Sequence, residues 1–155
     1  MRIPNNLGFM QGRLSPTFKG KIQFFPSEHW EKEFYLANKI GLKNMEWTLD
    51  YKNLFINPIF TNEGIKKIKY LSKKYSIKIK TLTGDCFMQK PFWKYKNSKK
   101  YIEDLKKIIK ACGNLKIKYI IFPLVDKSSI KTKKEEKKII LKFKTLNNFL
   151  KKNNT

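Results

Sequence analysis

The chain has 155 residues, 41% of them hydrophobic, which is enough for one domain with a real core, and nothing in its length asks for two. A formal net charge of +23 would suit nucleic acid, because clustered cations neutralise phosphates. Yet of 35 basic residues all but Arg2 and Arg13 are Lys, and these are spread among Ile and Asn along the whole chain, so the charge reads as a solvated surface rather than a phosphate-gripping face.

Taken in chain order, the pattern is one unit met four times. Leu7 to Met10 is a short apolar run. After a loop punctuated by Gly and Pro, Ser27 is placed to cap a helix whose Trp30, Phe34 and Ala37 share a face and whose stop is Gly41. The second strand, "NMEWTLD", alternates Met45, Trp47 and Leu49 against Glu46, Thr48 and Asp50. From Thr61 onward Ile65, Ile68, Leu71 and Tyr75 fall at helical spacing. "IKIKTLTGDCF", starting near Ile77, is the third strand. The helix after Ser98 carries Tyr101, Leu105, Ile108, Ile109 and Cys112 on one stripe and is expected to end before Gly113. "KYIIFPLVD" is the fourth strand. Thr132 with Glu135 forms a capping-box pattern that opens a last helix with Ile139, Phe143, Leu146 and Leu150 facing inward.

Strand followed by helix, repeated at about 30 to 40 residues, predicts an α/β fold with parallel strands and right-handed crossovers, because parallel neighbours need a helix-length connection. Two closures fit the pattern. An open doubly wound sheet of four strands would be complete at this length, whereas a (β/α)8 barrel of about 250 residues would not. The Rossmann form of the first option should carry a Gly-rich turn after its first strand. Here Gly12 stands alone before a long loop to Gly20, with neither GxGxxG nor GxxxxGK.

In either closure the chemistry belongs at the carboxyl ends of the strands. Those ends deliver Gln11 and Arg13, then Glu46 and Asp50, then Asp85 with Phe87 and Met88, then Asp126 with Ser128. Glu46 is the sharpest of them. Because it alternates with Met45 and Trp47 it must point to the opposite side of its strand, and a carboxylate turned inward needs a partner, a metal or a substrate hydroxyl. Cys86 and Cys112 form no CxxC pair, which leads to the expectation of a reduced, cytoplasmic protein. The start, "MRIPNNLGF", has no charged region leading into a long apolar one, and no apolar run approaches the roughly 20 residues of a membrane span, so no membrane association is expected.

In order and at matching distances, "MQGRLSP", "QFFPSEHWEKEF", "IGLKNMEWTLD", "NPIFTNEGIKKI" and "GDCFMQKPF" resemble the xylose isomerase-like TIM-barrel superfamily, in particular its sugar phosphate isomerase/epimerase members. The resemblance covers nearly the whole chain and implies a single domain over residues 1–155 made of four βα units, corresponding to the amino-terminal half of a barrel. It implies a small-molecule sugar or sugar phosphate as substrate and a proton shift beside its carbonyl. A divalent metal (Mn, Mg, Co or Zn) would polarise the oxygens while carboxylates act as acid and base. It further implies that the metal ligands, a Glu, an Asp, a His and a second Glu, come from strands five to eight, which this chain does not contain. Of the family's functional groups only the first-half rim carries over: Gln11 and Arg13 as donors, Glu46 as an inward carboxylate, Asp85 beside Phe87 as a wall for a sugar, and Asp126 on the last rim loop. His29, near the start of the first helix, reads as a surface residue. The expectation is therefore a half-barrel without a metal site and inactive alone, completed by self-association or by a separate carboxyl-terminal half. The alternative is a basic, non-enzymatic module that binds nucleic acid or another anionic partner.

Overall fold

The computed structural model describes residues 4, 6–17 and 24–153. Its strands are β1 (Gly8–Met10), β2 (Asn44–Thr48), β3 (Lys78–Thr83) and β4 (Tyr119–Ile121), joined in one parallel sheet of order β1-β2-β3-β4. The helices are α1 (Trp30–Ile40), α2 (Asn62–Tyr75), the short α3 (Asp85–Gln89), α4 (Lys99–Leu115) and α5 (Lys133–Lys152). Strand order follows chain order without the reversal that defines a doubly wound sheet. Of the two closures the sequence allows, the structure has the singly wound one: four βα units, the arrangement of half a (β/α)8 barrel.

The alternation in β2 explains why. Met45, Trp47 and Leu49 are buried together with Leu82 of β3 and the apolar stripes of the helices, in one continuous core. Register lines these side chains up across strands. Phe9, Met45 and Ile79 form one rung and Trp47, Leu82 and Ile120 another, separated by an irregularity between Met45 and Glu46 that slips β3 forward by one residue. Trp47 is the centre of this layer. Its ring meets Trp30 of α1 edge-on with centroids 5.7 Å apart, and its indole N–H donates to the Asn57 side chain at 3.1 Å, so the polar edge of a fully buried ring is satisfied.

Two of the caps read from the sequence, Gly41 and Thr132, hold, and Thr61 adds a third. Gly41 closes α1 in the left-handed conformation (φ 88°), the Thr61 hydroxyl accepts from Gly64 N–H at the start of α2, and the Thr132 hydroxyl accepts from Glu135 N–H at the start of α5. The Glu135 carboxylate reaches back to Lys131 N–H at 2.7 Å, one residue before the position a capping box would give.

Four expectations are corrected. Ser27 does not cap α1: the helix begins at Trp30, and residues 27–29 form a turn in which His29 and Trp30 N–H both donate to the Pro26 carbonyl. Gly113 does not end α4, which runs to Leu115 and stops on a left-handed Lys116. A glycine serves there because a Cβ at position 113 would lie 2.8 Å from the Asn153 carbonyl oxygen, so its role is the close approach of the end of α5. The third strand is shorter than "IKIKTLTGDCF", since Asp85–Gln89 turns into α3 immediately after Gly84. The fourth strand is only three residues long, ending two residues before Pro123.

Candidate functional site

The apolar rows face the helices, which leaves the other row of each strand on the opposite side of the sheet. That side forms an open hollow of about 690 Å³ lined by strand residues and Asn6, with no helix residue in its wall. Gly8, Met10, Asn44, Glu46, Lys80 and Tyr119 are among the groups that line it. Parallel sheets normally carry cover on both faces, so this bare face is the unusual feature of the fold.

At the carboxyl ends of the strands the same face is filled by a compact polar cluster. Gln11 N–H donates to the Glu46 carbonyl at 2.9 Å, continuing the β1–β2 ladder beyond the last strand residue. The Gln11 side-chain oxygen accepts from Thr48 N–H and its backbone carbonyl from the Thr48 hydroxyl, both at 3.2 Å. The Thr83 hydroxyl donates to the Glu46 carboxylate. Gln11, Thr48 and Thr83 are buried, and the Gln11 amide nitrogen has no hydrogen-bond partner among the described residues.

The loop that follows β1 is organised from below by Glu33. This α1 residue is fully buried, and its carboxylate accepts from Gly12 N–H at 2.9 and 3.0 Å and from Leu14 N–H at 3.0 Å. Burial pushes its carboxyl above the ordinary glutamate range, against the hydrogen bonds from the loop, which pull it down. Gly12 takes φ 94°, a conformation that costs glycine nothing, and "QGR" is thus a turn folded over a buried carboxylate.

The six sequence-predicted site residues divide accordingly. Gln11 and Glu46 are brought together with Thr48 and Thr83. Asp85 is buried at the head of α3, two residues beyond Thr83. Phe87 is buried too, its ring stacked on Phe122 with centroids 4.2 Å apart and set edge-on to Phe92, so it belongs to the packed layer. Arg13 and Asp126 are exposed on separate loops, Asp126 at the start of a 3-10 turn with φ 49°. Of the six, Glu46 alone lines the open hollow.

Sequence reasoning missed Glu33, although a signal was present. Trp30, Glu33, Phe34 and Ala37 share one helical stripe, and an acid on a buried stripe must find donors. It also left Asp50 unassigned: the Asp50 carboxylate accepts from Phe25 N–H at 2.8 Å and from the Gln89 side chain at 2.9 Å, which ties the first loop to α3.

Glu33 accepts from N–H groups of the first loop and Asp50 from Phe25 N–H and the Gln89 side chain of α3, and among the described residues no three His, Cys, Asp or Glu side chains converge. No described helix is long and apolar enough to cross a membrane. No family model matches this sequence, and neither does any curated protein.

Proposed function

We propose that the chain supplies one wall of the substrate cavity of a barrel of sugar or sugar-phosphate isomerase/epimerase type. The observation that supports this reading is Glu46, an inward carboxylate held by the Thr83 hydroxyl and open to a hollow whose volume is that of a small-molecule site. A carboxylate accepts from sugar hydroxyls, and Lys78 and Lys80, which line the same hollow, supply cations for a phosphate group. Proton transfer beside a carbonyl needs an acid–base pair and, in the family this chain resembles, a metal. The residues described here bind and orient, and the metal chemistry lies on other strands.

The test is an NMR titration of the isotopically labelled chain with a ketose phosphate, the free ketose and inorganic phosphate. Shifts of the Glu46, Thr81 and Lys80 amides are expected with the sugar phosphate, and Glu46→Gln is expected to weaken binding by about 10-fold, the loss of one hydrogen bond to a charged group. Binding that Glu46→Gln leaves unchanged would remove the reading. Mn²⁺-stimulated epimerisation by the chain alone would overturn the assignment of the metal chemistry to other strands.

A further inference from the structure

The bare face of the sheet has a distribution of side chains that points to what covers it. On the central strands β2 and β3 the residues turned to that face are polar: Asn44, Glu46, Thr48, Lys80, Thr81 and Thr83. The exposed large hydrophobics that belong to the sheet lie at its two margins instead. Met10 of β1 and Tyr119 of β4 line the hollow at its two sides; Tyr119 and Ile121 are 64% and 40% exposed, Leu124 and Val125 follow in the loop after β4, and Leu7, at the outer end of β1 but outside the lining of the hollow, is 51% exposed. A polar centre between two apolar margins is the pattern of a wet lumen bounded by seams that close, and a simple solvated face would not carry it.

The backbone gives the same answer. Among the described residues no strand lies beyond β1 or beyond β4, so the sheet ends in two edges that run in the same direction. The edges are matched in length, three residues each. A rotation of half a turn about an axis along the strands sets β1 of one copy beside β4 of another, parallel, and does the same at the second seam. Two copies thereby use every edge and reach eight strands, the number at which a parallel sheet closes on a lumen that side chains fill.

We infer that this face is the interface with a second copy of the chain, and that two copies close edge to edge into an eight-stranded ring with the polar residues of β2 and β3 in its lumen. The lumen would carry four lysines against two glutamates, Lys78 and Lys80 with Glu46 from each copy, a small positive excess that water in the lumen screens, while most of the positive charge of each chain lies on the helices outside. The inference uses topology and exposure only. It is compatible with sugar binding at Glu46, and either can fail without the other, but a ring of two copies leaves no edge for the further strands to which the sugar reading assigns the metal chemistry.

The test is native mass by light scattering at about 0.15 M salt, where exposed charges are screened within about 8 Å. The expected result is a discrete species of twice the 18.5 kDa chain mass. Leu7→Lys at the β1 margin and Ile121→Lys at the β4 margin, each alone, should halve that mass, because a ring of two needs both seams. Ile56→Lys, at a position 73% exposed in the loop between β2 and α2 and away from both edges, should leave it unchanged. Circular dichroism confirms that each variant is folded; Tyr119→Ser replaces Ile121→Lys should the latter unfold. A monomeric native chain, a dimer that survives either edge substitution, or an open series of larger species would each overturn the closed ring.

Discussion

Removing the Glu33 carboxylate should unfold the β1 loop's anchorage, and the geometry sets the size of the effect. In Glu33→Ala the N–H groups of Gly12 and Leu14 lose their acceptor inside the protein. An unsatisfied buried donor costs about 1–3 kcal/mol, so two of them, partly rescued by water entering the vacated space, give a net loss of about 2–4 kcal/mol. Urea unfolding followed by tryptophan fluorescence reads this directly, since Trp30 and Trp47 sit in the adjoining core. Glu33→Gln separates charge from hydrogen bonding. Burial raises the folded carboxyl above its unfolded value of 4.5, so the folded chain holds a proton that the unfolded chain has already released. The stability this provides is fully present below the unfolded value and is lost as pH rises through the raised one. Gln has no such slope, and the stability of wild type relative to Glu33→Gln should therefore fall as pH rises across that window. A Glu33→Ala loss below about 0.5 kcal/mol, the scale of ordinary surface substitutions, or a wild-type stability that rises relative to Glu33→Gln with pH, would refute the account of a buried carboxylate organising the loop.

Two further outcomes follow from local geometry. Gly64→Ala should destabilise, although helix propensity alone predicts a gain of about 1 kcal/mol. A Cβ there would sit 2.2 Å from the Pro58 carbonyl oxygen, and a lowered melting temperature, equivalent to about 1–3 kcal/mol, is expected. Both cysteines should resist thiol labelling near neutral pH until the chain unfolds: burial pushes Cys112 up to about 12 and Cys86 higher still, which leaves almost no thiolate. Rapid labelling of either thiol in the native chain would count against the packing of α3 and α4 described above.

The fold was legible wherever a periodicity was long. Met45, Trp47 and Leu49 announced a strand with one covered face, and the stripes of α2, α4 and α5 were correct because each spans several turns of one repeating environment. Endings were legible only where a local motif sets them, as at Gly41 and Thr132. Gly113 misled because its use is tertiary, a close approach of the Asn153 backbone that no local pattern reports. The site was legible in direction but not in state. Alternation placed Glu46 on the correct side of β2, yet it could not tell that Gln11, Thr48 and Thr83 would bury one another while Glu46 stayed only partly buried, nor that Phe87 would stack on a ring 35 residues away. Such outcomes depend on which of several polar side chains meet first, and spacing along one strand does not encode that.

The order β1-β2-β3-β4 also shapes how such a chain folds. Every strand pairs only with its neighbours in the sequence, so each pairing closes one crossover and none waits for a distant partner. The sheet can grow outward from β2 and β3, one unit at a time, with a loop-closure entropy that stays about the same at each step. β2 and β3, with five and six residues, pair on both sides, whereas the outer strands have three residues each and pair on one. In a single chain, opening should accordingly begin at the margins and reach the Trp47 layer last, whereas pairing with a second copy would raise the amide protection of β1 and β4 toward that of the centre. A structure assembled by such increments has no step that requires the whole chain at once.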